Sequence, residues 1–445
     1  MKQFRAKQIF ISALAFLLSV FGLSQTHAVS FNEGAAPVVK KASPALERFR
    51  DGIPNFLDKV EKGEPVKVAY FGGSITAADG WRVQTLMKFN EAYAPSRFTE
   101  INAAIGGTGS ALGVYRCEHD VLQYDPDLVF IEFCVNDGGD SPEAIWRQFE
   151  GIVRQIWKHN LRTDIVFVYT FCVGHENQYL ANDTPRSVAA SEQIADFYGI
   201  PTLDFNIPVV EQEQSGKLVY KSEAPVEGKI LFSVDGVHPL DEGHQIYTKV
   251  VVDAFEKMKV ENRKNPYPDP GLRPKKLEKT FIDDNFENAK LVPIKESQLS
   301  GNWAPLPKDS DLNWMKSRLG DEVFVSDEPG AKLTIRFKGS HLGIYDVLGP
   351  NGGQVSITVD GVAFDAPRPR FDSYCVYWRL ATLPIAADLD PNVEHVVCIE
   401  IDEDEPSREP VAFRLADPET ELASPKYRGR NVWFGPIMII GDVLD

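Results

Sequence analysis

"VAYFGGSITAADGWR", residues 68–82, carries an apolar run into two glycines, a serine and the start of a helical pattern. The order strand, glycine turn, serine, helix puts Ser74 at the carboxyl end of a strand, where parallel α/β sheets hold their ligands. Gly72 and Gly73 let the chain turn tightly and let another group approach the backbone. Two readings of Ser74 compete on this stretch: a reactive nucleophile, or a hydroxyl that caps the helix that follows. The nucleophile-elbow spacing Gly-x-Ser-x-Gly fails because Thr76 stands in its last position, which argues against an ordinary α/β-hydrolase.

Outward from this stretch, the pattern repeats. Strand candidates are "VKVAYF" (66–71), "FTEINAA" (98–104), "DLVFIEF" (127–133), "DIVFVYTF" (164–171) and "PTLDF" (201–205). Between them lie "GWRVQTLMKFNEAY", "SALGVYRCEHDVL", "SPEAIWRQFEGIVRQIWKHN" and "RSVAASEQIADFYG", whose apolar residues recur near a 3.6 period. Continuous apolar strands alternating with helices imply a parallel sheet covered on both faces and joined by right-handed crossovers. The expectation is a three-layer α/β domain over residues 29–261.

Residues 262–276, "NRKNPYPDPGLRPKK", are rich in proline and charge and lack periodicity, so a linker is expected over 262–277. Beyond it the pattern becomes that of an antiparallel β domain. "KLTIRFK" (332–338), "QVSITVDG" (354–361), "EHVVCIEID" (394–402) and "VWFGPIMII" (432–440) alternate apolar and polar residues or are aromatic and β-branched. Asp360-Gly361 has the composition of a tight hairpin turn. Residues 278–445 are therefore expected to form a β-sandwich.

At 445 residues the chain exceeds the size of one ordinary core. The N-terminus has Lys2, Arg5 and Lys7, an apolar run from Ile9 to Leu23 and small residues ending at Ala28, the three parts of a signal peptide over residues 1–28. That run is too short to span a membrane, and a secreted or periplasmic protein is expected. Its removal takes Lys+Arg from 47 to 44 against 64 Asp+Glu, a net charge of −20. Such a surface repels nucleic acid and anionic membranes, and it suits a neutral substrate better than a sulfated or uronate-rich one. The five cysteines, Cys117, Cys134, Cys172, Cys375 and Cys398, are too few for a disulfide scaffold. Buried thiols are the expectation for Cys134 and Cys172, while Cys375 and Cys398 are the one pair that could join.

A reactive serine needs a base. "SVDGVHPLDEGH" sets Asp235 three residues before His238, so that the carboxylate can hold one imidazole nitrogen and leave the other to take a proton. His244, inside the following helical pattern, reads as a packing residue. "INAAIGGTGSALG" (101–113) is glycine-rich between a strand and a helix, but its spacing is not Gly-x-Gly-x-x-Gly and no P-loop lysine follows. Such a turn can aim a backbone N–H into a cleft. In "FIEFCVNDGG" (130–139), Asn136 stands at a strand end, either as an N–H₂ donor or as part of an Asn-Asp turn. "DGVHPLDEGH" lacks a zinc-type spacing, so no metal and no cofactor is expected.

Taken together, "GGSIT", "AAIGGTGS", "VND" and the Asp-x-x-His block resemble the SGNH hydrolases, also called GDSL-like esterases and lipases, over residues 45–258. The resemblance implies a flavodoxin-like sheet, Ser74 as nucleophile, His238 as base and Asp235 as its partner. It also implies an oxyanion hole built from the Ser74 amide, the Gly107 amide and the Asn136 side chain, with Gly106 as the alternative glycine. Two positions depart from the common pattern: Gly73 replaces a frequent Asp, and Val135 replaces a frequent glycine. The added β domain is similar to the jelly-roll or galactose-binding-like modules of secreted carbohydrate O-acetylesterases, and an acetylated glycan is the implied substrate. Trp303, Trp314, Trp378, Tyr374 and Tyr377 are its candidate sugar-stacking residues, though most sandwich aromatics are core. A secreted lipase, lysophospholipase or arylesterase of the same family is the alternative activity, and a non-catalytic glycan-binding protein is the alternative class.

Overall fold

Why does the first half fold as a parallel sheet? Its strands are apolar on both faces, so each must be covered twice. The computed structural model describes residues 39–445, and the leader expected over residues 1–28 lies outside them. Six strands, β1 (Glu47–Arg48), β2 (Val66–Gly72), β3 (Phe98–Asn102), β4 (Leu128–Glu132), β5 (Asp164–Tyr169) and β6 (Thr202–Asp204), form one sheet in the order β1-β6-β5-β4-β2-β3. All neighbours are parallel except β1, which runs antiparallel to β6. The chain leaves β2 towards β3 on one side and returns to β4 on the other. The strand order therefore reverses between β2 and β4, and the carboxyl ends of these two strands flank the crevice where such sheets bind ligands.

Helices cover both faces. On one side Phe56 and Leu57 of Pro54–Lys62, Trp81 and Phe89 of Trp81–Ala92, and Phe255 and Met258 of Asp241–Lys264 pack on Val68, Tyr70 and Phe130. On the other, Leu112 and Tyr115 of Ser110–Asp120, and Trp146 and Phe149 of Pro142–His159, pack on Phe71, Ile131 and Phe167. The helix Pro142–His159 starts as its sequence dictates: Ser141 caps it by accepting from the Ala144 amide at 3.2 Å, Pro142 opens it, and Lys158 and His159 sit in its last turn.

Residues 262–277 do not run as an open tether. The long helix continues to Lys264, and Arg273–Leu277 is a short helix whose Arg273 donates to the buried Asp164 carboxylate at 2.6 Å. The same guanidinium also donates to the Leu161 and Thr163 carbonyls.

The C-terminal half is an antiparallel, eleven-stranded sheet folded around its own apolar interior. Its spine is Lys332–Leu348, seventeen residues long, which pairs with Glu394–Ile401 through its first half and with Arg379–Ala386 through its second. Val432–Val443 pairs along most of the same strand. Asp360 and Gly361 both have positive φ, 52° and 81°, and close the hairpin in which Val359 faces Val362, as the Asp-Gly pair predicts. The strand Arg379–Ala386 was not apparent in the sequence, because Pro384 interrupts it; a strand bonded along one edge tolerates that proline.

The two halves share a core. Met315, Leu319, Tyr345, Val347, Leu380, Trp433 and Met438 belong to the same buried cluster as Leu112, Tyr115 and Phe133. Arg318 adds a hydrogen bond to the Asn102 carbonyl at the end of β3, 2.9 Å.

Candidate active site

Ser74 begins a single helical turn, Ser74–Ala77, separate from the helix that starts at Trp81. The cap position of that turn is Gly73, and no side chain caps it. The Ser74 hydroxyl instead lies 2.7 Å from His238 Nε2. His238 Nδ1 lies 2.6 Å from Asp235 Oδ2, so the three side chains form one hydrogen-bonded line. The Ser74 hydroxyl is thus engaged with the imidazole and not with a helix N-terminus.

The Asp235–His238 turn is built to hold that line. Asp235 Oδ1 accepts the amides of Val237 and His238 at 2.8 and 2.9 Å, and the Ser233 hydroxyl at 2.9 Å. Gly236 makes the turn possible with φ of +91°, and its carbonyl accepts the Val173 amide beyond β5. Burial acts to raise the Asp235 pKa, but the hydrogen bonds from His238, the two amides and Ser233 outweigh it and hold the carboxyl well below the usual range. Asp235 stays charged beside the imidazole, which suits it to stabilise an imidazolium. Asp235 and His238 are about half exposed, so the line opens directly to solvent.

Gly73 is followed closely by Asn136 in space. A Cβ built on Gly73 would lie 2.2 Å from Asn136 Oδ1 and 3.3 Å from the Thr108 carbonyl. The absence of the frequent Asp is thus matched by an Asn136 side chain lying against the Gly73 backbone. Gly106 sits beside the nucleophile, its built Cβ 3.7 Å from Ser74 Cβ, and Gly107 follows with φ of +72° and an open Cα. Gly106 thus lies beside Ser74, and Asn136 beside Gly73, at the carboxyl end of β2. His244, by contrast, is buried under Gly80, and burial lowers its pKa to about 4, which keeps it neutral and apart from the line.

The sequence reading passed over the groups beneath these residues. Glu132, at the end of β4, is buried; its carboxylate accepts the hydroxyls of Thr76 (2.8 Å) and Thr170 (2.7 Å), and its carbonyl accepts the Gly73 amide. Arg116, fully buried and paired with Asp120 at 2.7 Å, donates to the carbonyls of Gly72 and Ala103. Glu132 in "FIEF" and Arg116 in "VYRCEHD" interrupt apolar patterns, and that interruption is the only sequence signal they carry.

Among the described residues no group of three or more His, Cys, Asp or Glu is placed to hold a metal ion, and no helix is long and apolar enough to cross a membrane. All five cysteines are free, including Cys375 and Cys398. Of the aromatic candidates, Trp303 stacks on Phe434 and Trp378 donates to Asn351, whereas Trp314, Tyr374 and Tyr377 are exposed.

Residues 70–246 match the GDSL-like Lipase/Acylhydrolase family. No curated protein matches the chain by sequence. Among solved structures, a two-domain esterase active on acetylated mannans, co-crystallised with mannopentaose, aligns with a TM-score of 0.66 at 19% identity, covering 88% of this chain and 94% of that one. A second structure of such an esterase aligns with a TM-score of 0.65, covering 87% and 94%. An acetylxylan esterase from Geobacillus stearothermophilus is similar over 43% of this chain and 94% of its own, at 18% identity and a TM-score of 0.33. At these identities the first two share the whole two-part fold. Residues 70–246 form a GDSL-like lipase/acylhydrolase domain, and the activity that this domain supports is that of a carboxylic ester hydrolase.

Proposed function

We propose that the protein is an exported serine esterase that removes O-acetyl groups from a polysaccharide or oligosaccharide. The observation that carries this reading is the unbroken line Ser74 Oγ, His238 Nε2, His238 Nδ1, Asp235, open to solvent beside a glycine turn. His238 takes the Ser74 proton as Ser74 Oγ bonds to the ester carbonyl carbon, and Asp235 stabilises the imidazolium. The oxyanion receives hydrogen bonds from the Ser74 amide, the Gly107 amide and the Asn136 side chain. His238 then returns the proton to the sugar oxygen as the C–O bond breaks, leaving acetyl on Ser74. Water, deprotonated by His238, attacks the acyl carbon, and His238 returns that proton to Ser74 Oγ as the Oγ–C bond breaks and acetate departs.

Substrate class follows from two supports. An exposed triad suits a hydrophilic polymer that lies across the surface, and the whole-length structural neighbour acts on acetylated mannans. The division into a catalytic domain over 29–261 and an accessory domain over 278–445 belongs to the same reading. The test is acetate release from a panel of acetylated glycans by the wild type and Ser74→Ala. Ser74→Ala is expected to lose more than about a thousandfold in kcat while binding persists. Equal activity in the two would overturn the mechanism, and a preference for acyl chains beyond about butyryl would favour the lipase alternative.

A further inference from the structure

The glycine turn and Asn136 come from different loops, one after β3 and one after β4, yet both must face one oxyanion. A single side chain joins them. Asp137, 1% exposed, follows Asn136 directly and reaches into the base of the glycine turn. Its Oδ1 accepts the Ser110 amide at 2.9 Å, and its Oδ2 lies 2.6 Å from the Ser110 hydroxyl. A Cβ on Gly109 would fall 2.1 Å from Oδ1, so the turn is in direct contact with the carboxyl group.

The Ser110 hydroxyl oxygen lies 2.6 Å from Asp137 Oδ2 and also 2.6 Å from Gln148 Oε1, two oxygens flanking one hydrogen. The hydroxyl can donate to only one of them. With the Gln148 oxygen as acceptor, the remaining bond needs a proton on Asp137, giving the chain Asp137 O–H to Ser110 O–H to Gln148 O. The charges around Asp137 agree. No cation pairs with it among the described residues; Asp140 and Glu132 add negative potential, the Cys134 thiol is nearby, and Arg186 reaches only the Gly138 carbonyl and Asp140. Burial, the largest cause, pushes the Asp137 pKa up to about 7.

We propose that Asp137 is a positioning residue: in its neutral form it ties the Gly106–Ser110 turn to the turn that Asn136 opens after β4, and so sets the spacing of the oxyanion donors. Ionisation breaks the tie in two ways. The Ser110 hydroxyl must turn from Gln148 to the carboxylate, and a negative charge arises beside the place where the oxyanion forms. The inference rests on the serine-esterase reading above, and the experiment separates the two.

The experiment measures kcat and KM for p-nitrophenyl acetate between pH 5 and 9 in wild type, Asp137→Asn, Asp137→Ala and Ser74→Ala. In wild type, kcat is expected to fall along an alkaline limb as Asp137 ionises. Asp137→Asn, whose amide keeps the donor to Ser110, is expected to hold kcat within about threefold at pH 6 and to lose the alkaline limb. Asp137→Ala is expected to lower kcat about a hundredfold with KM within about threefold. An unchanged alkaline limb in Asp137→Asn overturns the proposal even if Asp137→Ala fails to fold. So does a soluble Asp137→Ala whose loss lies in KM. Activity in Ser74→Ala would instead overturn the esterase mechanism.

Discussion

Replacing Gly73 by alanine should disable the enzyme through a residue that is not mutated. The built Cβ lies 2.2 Å from Asn136 Oδ1, whereas carbon and oxygen in contact sit about 3.3 Å apart, so one of them must retreat by about 1 Å. The backbone has little room to do so, because the Thr108 carbonyl is 3.3 Å from the same Cβ and the Gly73 amide is tied to the Glu132 carbonyl at 3.2 Å. Asn136, exposed at the start of the turn Asn136–Gly139 beyond β4, is the group that yields. A displacement of about 1 Å in a positioned group costs about a hundredfold in rate, and complete loss of an oxyanion donor costs about a hundred- to a thousandfold. Gly73→Ala should therefore lose about a hundredfold in kcat. The decisive assay is the cycle with Asn136→Ala, scored on p-nitrophenyl acetate, with Gly138→Ala as a control because its built Cβ meets nothing within 4 Å. If Gly73→Ala acts through Asn136, the double variant is no worse than Asn136→Ala alone, a coupling of about 2.7 kcal/mol. Multiplicative losses, or a fully active Gly73→Ala, would refute the reasoning.

Other expectations concern stability and thiol chemistry. Burial raises the pKa of Glu132, Asp137 and Asp204 to about 7, so the folded state holds protons that the unfolded chain releases near pH 4; their stabilisation is complete below that pH and is lost as pH rises through about 7. Asp120 has the opposite shift: burial raises it, but His119, Arg116 and Arg318 outweigh burial, and its contribution is lost as pH falls below the ordinary carboxylate range. Urea unfolding should thus give a higher midpoint at pH 5.5 than at pH 8, with a flatter profile in Glu132→Gln; a midpoint that climbs from 5.5 to 8 would contradict these shifts. Arg116→Met removes the buried partner of Asp120, leaving its carboxylate to His119 and Arg318, and should cost about 3 kcal/mol, read from the urea midpoint at constant slope. Thiol titration of the denatured, unreduced protein should count five groups; three would mean that one pair had joined.

The parallel half was legible because its strands are long apolar runs and its helices have a clear period, so each element announced itself. The hydrogen-bonded line of Ser74, His238 and Asp235 was legible by residue type and chain order, since few other groups could pair with a serine in this way. Their supports were not. Asp137 in "VND" reads as half of a polar turn, and only the packing of Ser110 and Gln148 around it reveals a buried carboxyl group. Arg273 belongs to a stretch that looks like solvated linker until Asp164, more than a hundred residues earlier, turns out to be its partner. Pro384 hid a strand because sequence patterns do not distinguish the bonded edge from the free one.

The core shared between the two halves bears on descent as well as on packing. The helix Ser110–Asp120 starts at the glycine turn and rests Leu112 and Tyr115 in the cluster that also holds Val347, Leu380 and Trp433. An accessory module hung on a tether can be traded between genes without disturbing its neighbour. Here the seam runs through residues that set the bed of the glycine turn beside Ser74, so changes on one side demand answering changes on the other. The two halves are expected to have diverged as a single lineage, with substitutions at the seam paired across it.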